Sequence, residues 1–231
     1  RMVMKNVLLA TEAGLGHGET PIFPIQIFKV KEGVNYNPGD KNYDLFQKAI
    51  ICSAKRLFPN FSFLDAPFNF KYYKENDYNS EVAYMGCRTR VMANNYDPTK
   101  EVTCGRGNLS FTSINLPRLG ILYPNKDEFF KHLDEMCDLV IKQLLDRFEV
   151  QRHKKVKNMP FLMGQHVWID SDKLGWDDEI DEVIRNGTLT IGFIGLAECL
   201  IALTGKHHGE SEESQKLGLE IVGFMRKKMD E

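Results

Sequence analysis

Cys87 is the residue of this sequence whose surroundings best suit thiol chemistry. It lies in the segment Met85-Gly86-Cys87-Arg88-Thr89-Arg90, directly after a flexible glycine and close to two arginines. Cationic neighbours stabilise the thiolate, so a loop cysteine of this kind is more reactive than a buried one. The pattern predicts a reactive thiol at position 87, although an ordinary loop cysteine fits the same residues.

The other cysteines divide into two groups. Three fall within apolar helical patterns, where a cysteine usually acts as a small buried hydrophobe: Cys52, Cys137 and Cys199. Cys104 lies in Thr103-Cys104-Gly105-Arg106-Gly107-Asn108 and shares part of the basic environment of Cys87. Its role stays open, and a disulfide between Cys87 and Cys104 is an alternative that a reducing compartment disfavours.

Two glycine-containing segments could bind a ligand through main-chain groups. Gly105-Arg106-Gly107-Asn108 leads into a strand and could present backbone N–H groups and an amide, although a simple turn explains it equally well. Gly192-Phe193-Ile194-Gly195 leads from a strand into a helix, whose N-terminus could hold an anion such as phosphate. Close helix packing would also explain these glycines. No segment matches a dinucleotide fingerprint or a P-loop.

Histidines and acidic residues do not form a convincing metal site in the sequence. His207-His208-Gly209-Glu210 places adjacent histidines on opposite sides of a loop, and such pairs rarely bind one ion. The run from Asp170 to Asp181 begins like a calcium loop but has Leu174 at its fifth position and Asp181 at its twelfth. We expect neither a metal site nor a Ser-His-Asp triad, since no Cys-x-x-Cys pair and no Gly-x-Ser-x-Gly elbow occurs.

The elements that must position these residues alternate along the chain. Apolar residues at helical spacing predict helices over 2–13, 43–57, 125–148, 195–203 and from 211 onward, with Asn125 as the cap of the longest. Alternating or β-branched runs predict strands over 22–30, 61–64, 109–116 and 189–194. The fold class is therefore α/β, and no linker or repeat marks a domain boundary.

Composition excludes several function classes. Lys and Arg total 30 against 32 Asp and Glu, so the net charge is −2 and no basic stripe suits a nucleic acid. No apolar run approaches the roughly 18 residues of a membrane-spanning helix. The odd number of cysteines, 5 in 231 residues, indicates a reducing compartment, and we expect a cytoplasmic protein.

Five longer segments form an ordered series along essentially the whole chain. They are Gly14-Leu15-Gly16-His17-Gly18-Glu19-Thr20-Pro21-Ile22-Phe23-Pro24, Lys55-Arg56-Leu57-Phe58-Pro59-Asn60-Phe61, Met85-Gly86-Cys87-Arg88-Thr89, the run from Gly105-Arg106-Gly107-Asn108-Leu109 to Asn115-Leu116-Pro117-Arg118, and Gly192-Phe193-Ile194-Gly195-Leu196-Ala197-Glu198. Together they resemble the catalytic core of anaerobic (class III) ribonucleoside-triphosphate reductases, which are glycyl radical enzymes. Several long motifs in order are more specific than any one of them.

The resemblance implies a ten-stranded α/β barrel built from two half-barrels, with a finger loop through its centre. By motif, Cys87 is the cysteine at the loop tip, whose thiyl radical abstracts the 3′ hydrogen of the ribose. Asn108 is similar to the asparagine that positions the substrate or formate, the reductant in the best-known branch of the family. A water-excluded interior suits this chemistry, because solvent or other donors would quench the radical.

The resemblance also implies residues around the nucleotide. Glu198 and the turn from Gly192 to Gly195 are expected to line or support the substrate pocket. Four arginines could pair with triphosphate oxygens, although salt bridges within the barrel wall explain any one of them equally well: Arg88, Arg90, Arg106 and Arg118.

Several parts of the family's polypeptide have no counterpart in these residues. They are the N-terminal ATP-cone, an upstream barrel cysteine, and the C-terminal glycyl radical loop with its zinc site. We therefore expect residues 1–231 to be a central fragment of the catalytic barrel domain, cut at both ends, with no cofactor of its own and no activity alone. The complete enzyme is expected to need a radical-SAM activating enzyme, to bind ATP and deoxynucleotide effectors, and to dimerise.

Two other functions stay open. One is a glycyl radical enzyme of different specificity, such as a formate-lyase relative, although the run from Gly105 to Arg118 argues against it. The other is a nucleotide-binding or assembly module without catalytic activity.

Overall fold

A computed structural model describes residues 1–84 and 89–230 of the chain. These residues belong to two units, Arg1–Arg106 and Gly107–Glu231. The division falls inside the Gly105-Arg106-Gly107-Asn108 segment, where the sequence shows no linker-like composition. Cys87 and Arg88, two of the predicted site residues, lie outside the described residues.

Unit 1 is built on a parallel pair of short strands. Its elements are α1 (Met2–Ala13), β1 (Ile27–Val30), α2 (Tyr43–Arg56), β2 (Asn60–Phe63) and α3 (Pro67–Phe70), followed by 3-10 turns at Tyr78–Ser80 and Pro98–Lys100. β1 pairs with β2 in parallel, so the connection between them must cross over, and α2 provides that crossover. The core contains Leu8, Phe28, Val30, Leu45, Phe46, Ala49 and Cys52.

Unit 2 repeats the parallel arrangement around a longer helix. Its elements are β3 (Asn108–Asn115), α4 (Leu116–Leu122), α5 (Lys126–Arg152), α6 (Asp181–Ile184), β4 (Thr188–Ile194), α7 (Leu196–Thr204) and α8 (Glu212–Asp230), with 3-10 turns at Val156–Asn158 and Ser171–Lys173. β3 pairs in parallel with β4. The main core joins α5, α7, α8 and the sheet, and a smaller cluster fills the segment 156–184.

The predicted helices agree with the structure to within a few residues at most of their ends. Asn125 caps α5 as its position predicts, since its side chain accepts hydrogen bonds from the backbone N–H groups of Asp127 and Glu128. Gly205 ends α7 with a positive φ of 80°, a conformation that glycine adopts without steric cost. The α/β class is confirmed, and both described sheets are parallel.

Two sequence expectations differ from the structure. The strand predicted over 22–30 begins only at Ile27, because Pro24 has no N–H to donate to a partner strand. The sequence does not predict α4, because a proline at position 117 is typical of the end of a strand. Pro117 instead occupies the first turn of a helix, where no N–H partner is needed, and the Asn115 side chain accepts from the Arg118 N–H.

A membrane span would need a long, strongly apolar helix. The described residues contain none that meets this requirement.

Removing the cap of α5 tests how this helix is started. Asn125→Ala should destabilise unit 2 by about 1 kcal/mol, because it leaves the N–H groups of Asp127 (3.0 Å) and Glu128 (3.2 Å) without their acceptor. Asn125→Asp, which keeps an acceptor, is the matched control and should stay close to wild type. Urea unfolding followed by circular dichroism measures both variants. Equal stability of Asn125→Ala and the wild type would contradict the cap.

Candidate functional site

α5 covers one face of the β3–β4 sheet. Arg147 Nη1 donates to Ser110 Oγ (3.1 Å), and Thr112 Oγ1 donates to Gln143 Oε1 (2.9 Å). Ile114, on the same side of β3, is buried in the main core. Every second residue of β3 from Ser110 onward therefore points toward α5.

A β-bulge turns Asn108 to the opposite face. Asn108 pairs with Thr188, but Ser110 pairs with Leu189, so β3 advances two residues while β4 advances one. Leu109 is the extra residue of this bulge. In a regular strand Asn108 and Ser110 would share a face, and the bulge breaks that alternation.

Asn108 makes its side-chain contacts with two threonines of β4. Its Nδ2 donates to Thr188 Oγ1 at 3.2 Å and also to Thr190 Oγ1. Both hydrogens of the amide nitrogen are thereby used. Within residues 1–84 and 89–230, Asn108 Oδ1 accepts no hydrogen bond from the protein. The side chain is half-buried and has an acceptor available to a ligand.

Packing around Leu109 holds the bulge in place. Leu109 packs against the small cluster that includes Val156 and Ile180. A Cβ on Gly187 would lie only 2.6 Å from Leu109 Cγ, so position 187 has no room for a side chain. The N–H of Thr188 donates to the carbonyl of Gly107 at 3.0 Å. This hydrogen bond joins the starts of β3 and β4 just before the bulge.

The side of the sheet opposite α5 is open to solvent and is called the open face below. It carries Asn108, Phe111, Ser113, Thr188, Thr190, Gly192 and Ile194. Phe111 is 68% exposed and Ile194 is 56% exposed. A Cβ on Gly192 would come within 2.8 Å of Ser113 Oγ, so the glycine keeps this part of the face flat. The open face combines hydrogen-bonding groups with apolar surface.

Gly195 and Glu198 lie at the carboxyl end of β4, where α7 begins. Gly195 has a φ of 70°, and a Cβ there would be 2.2 Å from Pro117 Cγ, so packing against α4 accounts for the glycine. Glu198 is exposed in the first turn of α7. The partial positive charge of the helix N-terminus stabilises this carboxylate, and the carboxylate in turn repels a second anion at the same place. The expected phosphate site at this helix therefore has a competing group of its own, and packing explains the glycine directly.

Arg106 is buried in unit 1 and organises a loop. Its guanidinium donates to the carbonyls of Met92 (2.8 Å), Ala93 (2.9 Å) and Val102 (3.0 Å). Burial lowers the pKa of the Arg106 side chain. These contacts favour a structural role for Arg106 through main-chain carbonyls, where the sequence suggested phosphate oxygens or barrel salt bridges. Phosphate binding by Arg106 stays a prediction that its surroundings do not support.

The two other candidate arginines that the structure describes, Arg90 and Arg118, differ in their side-chain contacts. Arg90 donates to the Phe68 carbonyl (3.0 Å) and to Asn69 Oδ1, and its guanidinium lies over the Phe68 ring. Arg118 is exposed in the first turn of α4, and its N–H is bound by the Asn115 side chain. The structure thus brings Asn108 and Gly192 onto one face, with Gly195 and Glu198 at its carboxyl end, and places Arg106 in the other unit.

The described cysteines follow the sequence prediction. Cys52, Cys137 and Cys199 are fully buried, and burial raises the pKa of Cys137 and Cys199 to about 11. These thiols are inert near neutral pH. Cys104 is an exposed free thiol.

The two histidines that drew attention in the sequence make local contacts. His207 Nδ1 accepts from the N–H of Gly209 at 3.0 Å, and its Nε2 lies 3.5 Å from Glu210 Oε2. In the part of the chain that the structure describes, no group of three His, Cys, Asp or Glu side chains could hold a metal ion.

Thr188 and Thr190 are the site residues that sequence reasoning missed. Both lie in a predicted strand segment or at its border, and threonine is common in strands. Only the pairing of β3 with β4 shows that they meet Asn108. No local signal in the sequence marks them.

Comparison with known proteins gives one consistent result. A family model described as anaerobic ribonucleoside-triphosphate reductase matches residues 1–231. Proteins with that same name from Haemophilus influenzae and Escherichia coli (strain K12) are 31% identical over 226 and 237 residues, which is 96% and 100% of this chain. The protein of that name from Enterobacteria phage T4 is 32% identical over 217 residues, or 90% of this chain. The chain spans about a third of the length of these relatives.

Substitution of Gly187 tests the packing that supports the bulge. Gly187→Ala should destabilise unit 2 by about 1–3 kcal/mol, because the new Cβ collides with Leu109 Cγ and both of its methyl carbons, and Leu109 is packed in the small cluster. Gly223→Ala is the matched control: a Cβ there meets nothing within 4 Å, and alanine favours the helix. Urea unfolding of both variants gives the comparison. A Gly187→Ala protein as stable as Gly223→Ala would refute tight packing at this position.

Proposed function

Because the chain belongs to the anaerobic ribonucleoside-triphosphate reductase family, we propose that it forms part of an enzyme that reduces ribonucleoside triphosphates to deoxyribonucleoside triphosphates. The match of the family model to every residue of the chain carries this proposal. Relatives named for the activity align with at least 90% of the chain. The proposal concerns the complete enzyme, since the chain spans about a third of those relatives.

We propose that the two parallel strand pairs contribute to a ten-stranded barrel of two half-barrels, with Cys87 on its central finger loop. Two features of unit 2 support this. Its sheet has two strands, so each strand has one edge without a partner strand among the described residues. Parallel sheets are normally covered on both faces, whereas this one has α5 on one face and exposed Phe111 on the other. The open face therefore suits the lining of an enclosed interior.

The proposed reaction begins at the Cys87 thiyl. A glycyl radical, installed in the complete enzyme by a radical-SAM activating enzyme, supplies the unpaired electron. Cys87 takes the 3′ hydrogen atom, which forms the S–H bond and leaves a carbon radical on the ribose. The 2′ hydroxyl then leaves as water with a proton. Formate supplies a hydrogen atom to C2′ and one further electron, balanced by a proton, and becomes carbon dioxide. The Cys87 S–H bond then breaks and returns its hydrogen atom to C3′, which regenerates the thiyl.

Asn108 is the described residue best placed to hold the substrate. Its amide lies on the open face, is anchored to Thr188 and Thr190, and keeps an acceptor oxygen for a ligand. An asparagine amide can hydrogen-bond a hydroxyl without being ionised, so it does not exchange protons with the reacting groups. Gly192 keeps the neighbouring surface flat enough for a ligand to approach. Glu198 and Gly195 border this surface, and Arg88 is proposed as a phosphate contact by its motif.

We place the remaining requirements of the reaction in the part of the relatives that this chain does not span. These are the ATP-cone that binds ATP or deoxynucleotide effectors, the glycyl radical loop with its structural zinc site, and the homodimer contacts. On this proposal, residues 1–231 by themselves do not turn over substrate. Free thiols at Cys52, Cys104, Cys137 and Cys199 suit a reducing cytoplasm.

Replacing Cys87 tests the proposed chemistry in the complete enzyme. Cys87→Ser should reduce deoxynucleotide formation below detection, because a serine O–H bond is too strong to replace the thiol in hydrogen-atom transfer. The glycyl radical should still form, since its installation does not use this side chain. Product analysis measures turnover, and electron paramagnetic resonance measures the radical.

Cys104→Ser is the matched control, because Cys104 is an exposed free thiol close in sequence. It should retain turnover. Turnover retained by Cys87→Ser would overturn the assignment of the radical to this residue.

A further inference from the structure

We propose that Thr188 and Thr190 are positioning residues that hold the Asn108 amide with its carbonyl oxygen toward the open face. In this orientation Asn108 accepts a hydrogen bond from a ribose hydroxyl of the nucleotide, and it does not bind the formate carboxylate. This inference rests on the proposed function, in which a nucleotide and formate meet near Asn108.

The hydrogen-bond inventory of the amide supports this orientation. Asn108 Nδ2 donates to Thr188 Oγ1 (3.2 Å) and to Thr190 Oγ1, which uses both of its hydrogens. Only Oδ1 is then available to a ligand. Formate is an anion with two acceptor oxygens and no donor, so it would face Oδ1 without a hydrogen bond. A ribose hydroxyl has a hydrogen to donate and fits the same oxygen.

The position of the threonines follows from strand geometry. Thr188 and Thr190 are two residues apart on β4, so both side chains lie on one face of the sheet. The β-bulge at Leu109 brings Asn108 onto that same face. Without the bulge, Asn108 would point toward α5 and away from both hydroxyls. The bulge and the threonine pair together determine the orientation of one amide group.

The reverse orientation has a distinct consequence. With the amide turned over, Oδ1 would accept from the two hydroxyls and Nδ2 would donate toward the open face. Such a donor could bind either formate or the oxygen of a ribose hydroxyl, whereas the proposed orientation leaves formate without a hydrogen bond. A change in the formate KM on loss of a threonine anchor is therefore expected only for the reverse orientation.

Steady-state kinetics of the complete enzyme, with nucleotide and formate varied separately, test the proposal. Thr190→Val replaces the hydroxyl by a methyl group of similar shape and removes one anchor of the amide. We expect the nucleotide KM to rise about tenfold, with the formate KM within about twofold of wild type. Thr190→Ser, which restores a hydroxyl, should recover most of the nucleotide affinity.

A double-mutant cycle separates positioning from a direct or structural role. In an Asn108→Ala background, Thr190→Val should cause no further rise in nucleotide KM, because its effect acts through the missing amide. Circular dichroism of each variant checks that the fold is kept, and the Thr188→Val protein repeats the measurement if Thr190→Val fails to fold.

Three results would overturn the proposal while leaving the proposed function intact. They are a rise in formate KM with unchanged nucleotide KM, a Thr190→Val enzyme with both KM values of the wild type, and a full additional effect of Thr190→Val in the Asn108→Ala background. Failure of the proposed function is distinct, because it would appear as turnover retained by Cys87→Ser.

Discussion

The β-bulge at Leu109 is the constraint on which the candidate site depends. One extra residue in β3 changes the face on which Asn108 lies, and every contact of its amide follows from that change. The bulge is maintained by apolar packing of Leu109 against the 156–184 cluster and by the absence of a side chain at Gly187. A polar group that could touch substrate is thus positioned by hydrophobic contacts on the other side of the strand. Bulges next to functional sites commonly have this effect, because they redirect a side chain without moving the sheet.

The middle of β3, from Ser110 to Thr112, reverses the usual relation between polarity and burial. Ser110 and Thr112 point toward α5, where Arg147 and Gln143 provide hydrogen-bond partners. Phe111, between them, points to the open face and is 68% exposed. An isolated strand would be expected to bury its phenylalanine and expose its hydroxyls. Apolar surface of this kind is normally covered, and the proposed barrel would provide that cover.

In the motifs that carry the family resemblance, Arg106 and Gly195 serve packing, although their residue types suggest ligand binding. Arg106 stabilises the loop of residues 92–102 through four main-chain carbonyls. Gly195 permits close contact with Pro117 at the start of α7. A buried guanidinium satisfied by carbonyls is not available to a phosphate, because release of those carbonyls would leave them unpaired in the interior. Asn108 differs from these residues, since its contacts leave one acceptor unused.

The sequence by itself determined the α/β class, the capped helix α5, the buried cysteines and the membership of a reductase family, because these depend on local periodicity or on extended motifs. It did not reveal α4, since Pro117 permits both a strand end and a helix start. Only the tertiary structure decided the face of Asn108 and its pairing with Thr188, which is 80 residues away in the chain. It also decided that Arg106 is enclosed by its own loop. Strand register, bulges and burial arise from contacts between distant segments, and no local pattern encodes which of those contacts will form.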